Sequence, residues 1–107
     1  MTEKQQVTEE SNSINEDVYQ LRLFVTGATP NSSRAISNLK QVCETHLKGR
    51  YELEIIDVYQ QPLIAESEQI IALPMLIKKL PFPERRLIGD MSNTDKLLRG
   101  LSITANT

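Results

Sequence analysis

The chain has 107 residues, of which 39% are hydrophobic and 24% are charged, and its net charge is −2. This length supports one domain, because two domains would each be too small to bury an adequate core, and the composition is typical of a globular protein. The slight negative charge provides no general basic field for a phosphate backbone, which disfavours sequence-independent nucleic-acid binding.

The distribution of apolar residues and the number of cysteines argue against secreted, membrane-spanning and disulfide-bonded proteins. The N-terminus is polar and lacks the apolar core of a signal peptide, and the longest apolar stretch, Ile70 to Ile77, contains Pro74 and is far shorter than the roughly 20 residues that span a bilayer. Cys43 is the only cysteine, which excludes an intramolecular disulfide and a cysteine-rich metal site. The sequence therefore predicts a cytoplasmic protein that does not enter a membrane.

The two ends of the chain are predicted to lie outside the folded domain. Residues 1–17 contain five acidic residues and one lysine, a net charge of −4, and few large apolar residues. This composition predicts a flexible acidic tail. We expect one folded domain over residues 18–101 and a short C-terminal tail over residues 102–107.

The first half of the domain is predicted to be a strand, a helix and a second strand. Apolar residues alternate from Tyr19 to Val25, which predicts a strand. Thr29 is a plausible N-cap and Pro30 a tolerated first residue of a following helix, which ends near Gly49. Apolar residues at helical spacing form one stripe on this helix: Ile36, Leu39, Cys43 and Leu47. A second strand from residue 51 then completes a right-handed parallel βαβ unit.

The second half is predicted to contain a short helix, a hairpin and a final helix. The short helix is predicted over Pro62 to Gln69, although its apolar periodicity is weak, and the two hairpin strands, 75–77 and 85–88, flank a turn with two prolines. Residues 92–95 have the character of a capping box before the last helix. The predicted order is βαβαββα, an α/β fold.

Three segments of the sequence resemble the KaiB family: LRLFVTGATPNSSRAISNLK at 21–40, YELEIIDVYQQPLIAE at 51–66, and ALPMLIKKLPFPERRLIGD at 72–90. The resemblance covers residues 19–101. It implies a thioredoxin-like fold and a regulator without catalytic activity or cofactor, which binds a KaiC-like ATPase and influences the phosphorylation cycle of that ATPase in a circadian or timing system. It also implies dimers or tetramers and a switch to a second fold, for which the ambiguous apolar segment Ile70 to Ile77 offers a physical basis.

A basic cluster is the main candidate for partner binding. It comprises Lys78, Lys79, Arg85 and Arg86, which give a net charge of +3 with Glu84 included. One interpretation is a solvated edge that blocks aggregation; the other is a surface for an acidic partner, if the hairpin places several of these side chains together. The resemblance favours the second interpretation, because it associates Arg34, Lys78 and Arg85 with partner or subunit contacts.

The resemblance also implies a role in backbone geometry for three residues. Pro74 occupies the place where thioredoxin-like folds have a cis-proline. Gly89 and Asp90 match the hinge before the last segment, where glycine permits backbone angles that other residues resist. We expect these three residues to include a cis-proline and the hinge of the fold switch that the resemblance implies.

Thiol redox chemistry and metal binding are disfavoured. The turn where a thioredoxin has two thiols reads Thr29-Pro30-Asn31-Ser32, so we expect no oxidoreductase activity. Cys43 is predicted to be a buried apolar residue, and His46, the only histidine, a structural or surface residue without metal.

One alternative function stays open. It is a thioredoxin-like interaction module that serves a stress response or a sensor histidine kinase without KaiC. Glu54, Gln60 and Gln69 stand where the family is expected to have lysines. These departures weaken the inference of a tetramer, a fold switch and a specific partner, but they leave the predicted fold intact.

Overall fold

The computed structural model describes residues 18–103. The predicted tail over residues 1–17 and the last four residues of the predicted C-terminal tail lie outside this range. Within these residues, seven elements follow one another: β1 (Tyr19–Val25), α1 (Pro30–His46), β2 (Tyr51–Asp57), α2 (Pro62–Ser67), β3 (Met75–Leu80), β4 (Arg85–Ile88) and α3 (Thr94–Gly100). The predicted order βαβαββα is confirmed, although α2 is shorter and β3 longer than the sequence pattern indicated.

The strands form one sheet in the order β2-β1-β3-β4. β1 is parallel to β2 and antiparallel to β3, and β3 is antiparallel to β4. The crossover helix α1 begins where the sequence predicted, because the Thr29 hydroxyl accepts a hydrogen bond from the Ser32 amide at 3.2 Å. After α1, Gly49 adopts a φ of +78°, which the turn into β2 requires.

Helices cover both faces of the sheet unequally. On one face, which we call the α1/α3 face, side chains of α1 and α3 pack on Leu21, Leu23 and Leu76, all nearly or fully inaccessible to solvent. On the other, the α2 face, Ile64 and Ala65 of α2 pack on a smaller core: Phe24, Ile56, Met75 and Ile77. None of the side chains of α2 is buried, so this helix is the less firmly held of the coverings.

The end of the domain lies slightly beyond the predicted boundary. Ser102 has a φ of +61°, the Ile103 amide donates to the Leu98 carbonyl at 2.9 Å, and Ile103 packs against the larger core. The folded part therefore includes residues 102 and 103, which the sequence analysis assigned to a tail.

Candidate functional site

The β3–β4 hairpin divides the basic cluster between the two faces of the sheet. Lys78 is paired with Arg85 across the strands, and Ile77 with Arg86. Because successive side chains of a strand point to opposite faces, Lys78 and Arg85 lie on the α1/α3 face, whereas Lys79 and Arg86 lie on the α2 face. The hairpin thus does not place all four basic side chains on one surface.

On the α2 face, the basic side chains converge on Glu68, which directly follows α2. Glu68 Oε2 lies 2.9 Å from Lys79 Nζ and 3.1 Å from Arg22 Nη1, and Glu68 Oε1 lies 3.6 Å from Arg86 Nη2. Only 14% of the Glu68 side chain is exposed. The hydrogen bond from Lys79 and the nearby guanidinium groups of Arg22 and Arg86 lower the pKa of Glu68. Glu68 is therefore ionised at neutral pH and holds the end of α2 to three strands.

Two further carboxylates complete this network. Glu54 Oε1 lies 3.2 Å from Arg22 Nε, and Glu84 lies 3.7 Å from Lys79 Nζ and 3.8 Å from Arg86 Nη2. Three cations are thus balanced by three carboxylates. Glu54, which stands where a family lysine was expected, contributes one of them, and the α2 face of the hairpin presents little net charge.

On the α1/α3 face, the two basic side chains have no such partners. Lys78 is 1% exposed, and its ammonium has a hydrogen bond of 3.5 Å to the Ser102 hydroxyl. Burial, and to a lesser extent the charge of Arg85, lower the pKa of Lys78. Arg85 is exposed. Within residues 18–103, no carboxylate lies within ion-pair distance of either side chain.

The other predicted site residues meet at the opposite end of β4. Arg34 Nε lies 3.3 Å from Asp90 Oδ2, and the Asn38 side-chain amide donates to the Asp90 carbonyl at 2.9 Å. The Gly89 amide donates to the Pro74 carbonyl at 3.0 Å. Gly89 has a φ of +124°, which favours glycine, and the Leu73–Pro74 peptide bond is cis. α1, the start of β3 and the end of β4 are joined at this point.

Asp90 is the centre of this second cluster. Its pKa is lowered by hydrogen bonds from Ser92 and, to a smaller extent, by Arg34. Arg85 is the first residue of β4, whereas Asp90 lies two residues beyond its last residue, Ile88. Arg34, which binds Asp90, and Arg85 therefore lie at opposite ends of β4.

The turn before α1 is filled by hydroxyl groups. Ser32 is 1% exposed, and its Oγ accepts hydrogen bonds from the Thr26 amide at 3.1 Å and from the Thr29 hydroxyl at 2.9 Å. Cys43 is buried in the core, and burial raises its pKa to about 12, which makes it a poor nucleophile at neutral pH. The part of the chain that the structure describes contains no group of three His, Cys, Asp or Glu side chains suited to hold a metal ion.

Sequence reasoning missed two features. Glu68 showed no local signal, since its three partners lie on three different strands. Large apolar side chains are also exposed around α2, with Tyr59 78%, Leu63 76% and Ile71 88% accessible. The weak apolar periodicity of residues 62–69 was a signal of this exposure, because a helix with a buried face would show a stripe.

None of the helices between residues 18 and 103 is long and apolar enough to cross a membrane.

Comparisons with known proteins place the chain in a family. The KaiB domain model matches residues 22–103. The chain is 51% identical over 85 residues to a circadian clock oscillator protein KaiB of Prochlorococcus marinus, which covers 79% of each chain. It is 52% identical over 83 residues to the circadian clock protein KaiB3 of Synechocystis, which covers 78% of this chain and 81% of that one.

Solved structures support the fold. The N-terminal domain of Synechococcus elongatus SasA superposes with a TM-score of 0.66 at 21% identity, covering 92% of this chain and 97% of that one. A thioredoxin of Fasciola hepatica superposes with a TM-score of 0.66 at 16% identity, covering 81% of each chain. At these identities the likeness establishes a thioredoxin-like fold alone.

Proposed function

The chain belongs to the KaiB family, and we propose that it is a cytoplasmic regulator, without catalytic activity of its own, that binds a KaiC-like ATPase and modulates its phosphorylation cycle. The observation that carries this proposal is the identity of about 50% to circadian clock KaiB proteins across 85 residues. The segments that carried the sequence resemblance, between residues 21 and 90, lie within the KaiB domain match except for their first residue, Leu21.

The charged side chains favour an acidic surface on the partner. Arg85 is exposed and has no carboxylate near it within the described residues, so a partner carboxylate gains its full interaction without displacing an existing ion pair. Arg86 is less suited to bind a partner carboxylate, because it already forms ion pairs with Glu68 and Glu84. Arg34 is 55% exposed and binds Asp90, so it offers a contact at the other end of β4.

Exposed apolar side chains supply the other component of a protein interface. Tyr59 lies in the turn before α2 and Leu63 in its first turn, and each is more than three-quarters exposed. Aromatic and aliphatic anchors of this kind commonly dominate the free energy of protein binding, whereas the surrounding charges set orientation and association rate. Dimers, tetramers and a second fold stay predictions from the family.

The test is a calorimetric titration against the KaiC-like ATPase of the same host in the presence of ATP. We expect binding that Arg85→Ala weakens by about tenfold, the usual effect of losing one good interfacial charge contact. Arg34→Ala is expected to have a smaller effect, because the ion pair with Asp90 already partly neutralises the Arg34 charge before a partner binds. Lys96→Ala, which removes an exposed cation at the start of α3, is the matched control and should bind as the unchanged protein does.

Absence of binding with ATP, with ADP and without nucleotide would refute the KaiC proposal. Undiminished binding by the Arg85→Ala variant would keep the ATPase as partner but reject the hairpin as the contact.

A further inference from the structure

Two adjacent cations on the α1/α3 face lack a counter-charge within the described residues. Lys78 and Arg85 are directly paired across β3 and β4, which brings their Cα atoms to about 5 Å of each other. The Lys78 ammonium is nearly inaccessible and has a single long hydrogen bond to a hydroxyl. Arg85 is exposed above it. A carboxylate beside Arg85 would relieve the repulsion between the two charges and the cost of burying the first.

The chain enters the sheet beside this pair. Leu21 of β1 is the cross-strand partner of Lys78, and Gln20 is the partner of Leu80. The first residue of β1 therefore lies at the end of the sheet where the hairpin turns. Asp17 precedes Leu21 by four residues, so its Cα lies at most about 14 Å from that of Leu21. Arg85 is two strands away from β1, or about 10 Å across the sheet.

The segment that reaches this point has the complementary charge. Residues 1–17 carry a net charge of −4, and their acidic residues are Glu3, Glu9, Glu10, Glu16 and Asp17. Glu16 and Asp17, the acidic residues nearest the sheet in sequence, are adjacent. Seven residues lie between Glu10 and Val18 and eight between Glu9 and Val18, which is enough chain for Glu9 and Glu10 to reach Arg85. Because the segment is covalently attached, its local concentration at the pair is on the order of millimolar.

We propose that the acidic segment of residues 1–17 docks within its own chain on the Lys78–Arg85 pair and competes there with the acidic surface of a partner. The docking itself does not depend on the partner; the competition rests on the function proposed above. The docking is weak, because one of the two cations is exposed to water and the other is covered. It is also sensitive to salt, because the Debye length falls from about 20 Å in 20 mM salt to about 4 Å in 0.5 M salt.

Paramagnetic relaxation in the full-length protein tests the docking. A spin label is attached to the cysteine introduced by Ser11→Cys, and Cys43 does not compete because it is buried with a pKa of about 12. At about 20 mM NaCl we expect the amide signals of Lys78 and Arg85 to broaden more than those at the start of α3, and to recover at about 0.5 M NaCl. Changing the five acidic residues of the segment to their amides should abolish the broadening.

Single charge changes test the specificity of the contact. Arg85→Gln should remove most of the broadening, whereas Lys96→Gln, a matched loss of an exposed cation at the start of α3, should leave it intact. Lys4→Gln makes the segment more acidic and should increase the broadening. Equal broadening in the acidic and amide forms, or broadening centred on α2, would overturn the proposal. Broadening that requires a second, separately labelled molecule would overturn its intramolecular form.

A second titration tests the competition. At low salt, the full-length variant with the five amides should bind the KaiC-like ATPase about three- to tenfold more tightly than the unchanged protein, and this difference should vanish at about 0.5 M NaCl. If the ATPase binds neither form, the proposed function fails while the relaxation experiment still decides the docking. If both forms bind equally at low salt, the competition is refuted.

Discussion

The two faces of the β3–β4 hairpin carry equal numbers of basic side chains in opposite surroundings. On the α2 face, Lys79 and Arg86 share the carboxylates of Glu68 and Glu84. On the α1/α3 face, Lys78 and Arg85 adjoin each other without a carboxylate from the described residues. The difference shows that charged residues adjacent in sequence need not share a surface, because successive side chains of a strand point to opposite faces of the sheet.

The two faces also differ in what their charges hold together. The paired cations attach the end of α2, a six-residue helix with no buried side chain, to the sheet. Their role is structural. The unpaired cations hold no carboxylate among the described residues; the Lys78 ammonium contacts only the Ser102 hydroxyl, at 3.5 Å, and the burial of its charge raises the free energy of the folded state.

The largest expected effect concerns the paired face. Glu68→Gln removes the carboxylate shared by Arg22, Lys79 and Arg86 and leaves those cations facing one another. We expect a loss of about 2 kcal/mol in the free energy of unfolding at neutral pH, less than for a fully buried ion pair because the cations are about one-third exposed. Urea denaturation followed by circular dichroism measures it.

The pH dependence of this effect has a defined sign. The folded state lowers the pKa of Glu68 from 4.5, so the folded state binds fewer protons than the unfolded state in acid. Its contribution is present in full above pH 4.5 and is lost as the pH falls through the lower folded value. The stability difference between the unchanged protein and Glu68→Gln should therefore shrink in acid. Glu84→Gln, at an exposed and more distant carboxylate, should cost less than about 0.5 kcal/mol.

The next effect concerns the unpaired face and has the opposite sign. Lys78→Met replaces a nearly inaccessible ammonium with an apolar side chain of similar length. We expect a gain of about 1 kcal/mol at neutral pH, and a rise in the melting temperature of about 4–8 °C, because the desolvation of the charge no longer opposes folding. A loss of stability would show that the ammonium has a strong partner in the folded protein.

Alkaline pH should reduce this gain. The pKa of Lys78 is lowered from 10.5, so the unfolded state binds more protons between the folded value and 10.5, and stability from this residue rises with pH in that window. Cys43 and Tyr51, both with a pKa raised to about 12, act in the opposite direction above pH 9 and 10 respectively. Because both are present in the two proteins, their contributions cancel when Lys78→Met is compared with the unchanged protein.

The order of elements was predictable from local signals, whereas the site was predictable only in part. The alternation from Tyr19, the cap at Thr29 and the prolines around residue 82 each specify an element within a few residues of chain, and all of these elements form. The burial of Cys43 also followed from its place on the apolar stripe of α1.

The parts of the site that the sequence did not predict depend on tertiary contacts. The sequence indicated a basic hairpin, but a register of Lys78 with Arg85 was needed to assign each charge to a face. The ion pairs of Glu68 join residues 11 to 46 positions apart, a separation at which no local pattern exists. The contact between Arg34 and Asp90 likewise spans 56 positions, although resemblance to the family had named both residues.

The smallest expected effect compares the two faces directly through one residue of each. Arg85→Gln and Arg86→Gln remove the same charge from adjacent positions of β4. Arg86→Gln should lower the free energy of unfolding by about 0.5 kcal/mol, because Glu68 and Glu84 lose a shared cation. Arg85→Gln should lower it by less, since the loss of the weak docking of residues 1–17 is offset by the removal of the charge that Lys78 faces across the strands. Denaturation of both variants in parallel resolves the difference only if they are measured at low salt, where ion pairs are least screened. Equal losses for the two variants would mean that Arg85 also has a carboxylate partner in the full chain, and the relaxation experiment with residues 1–17 would then identify it.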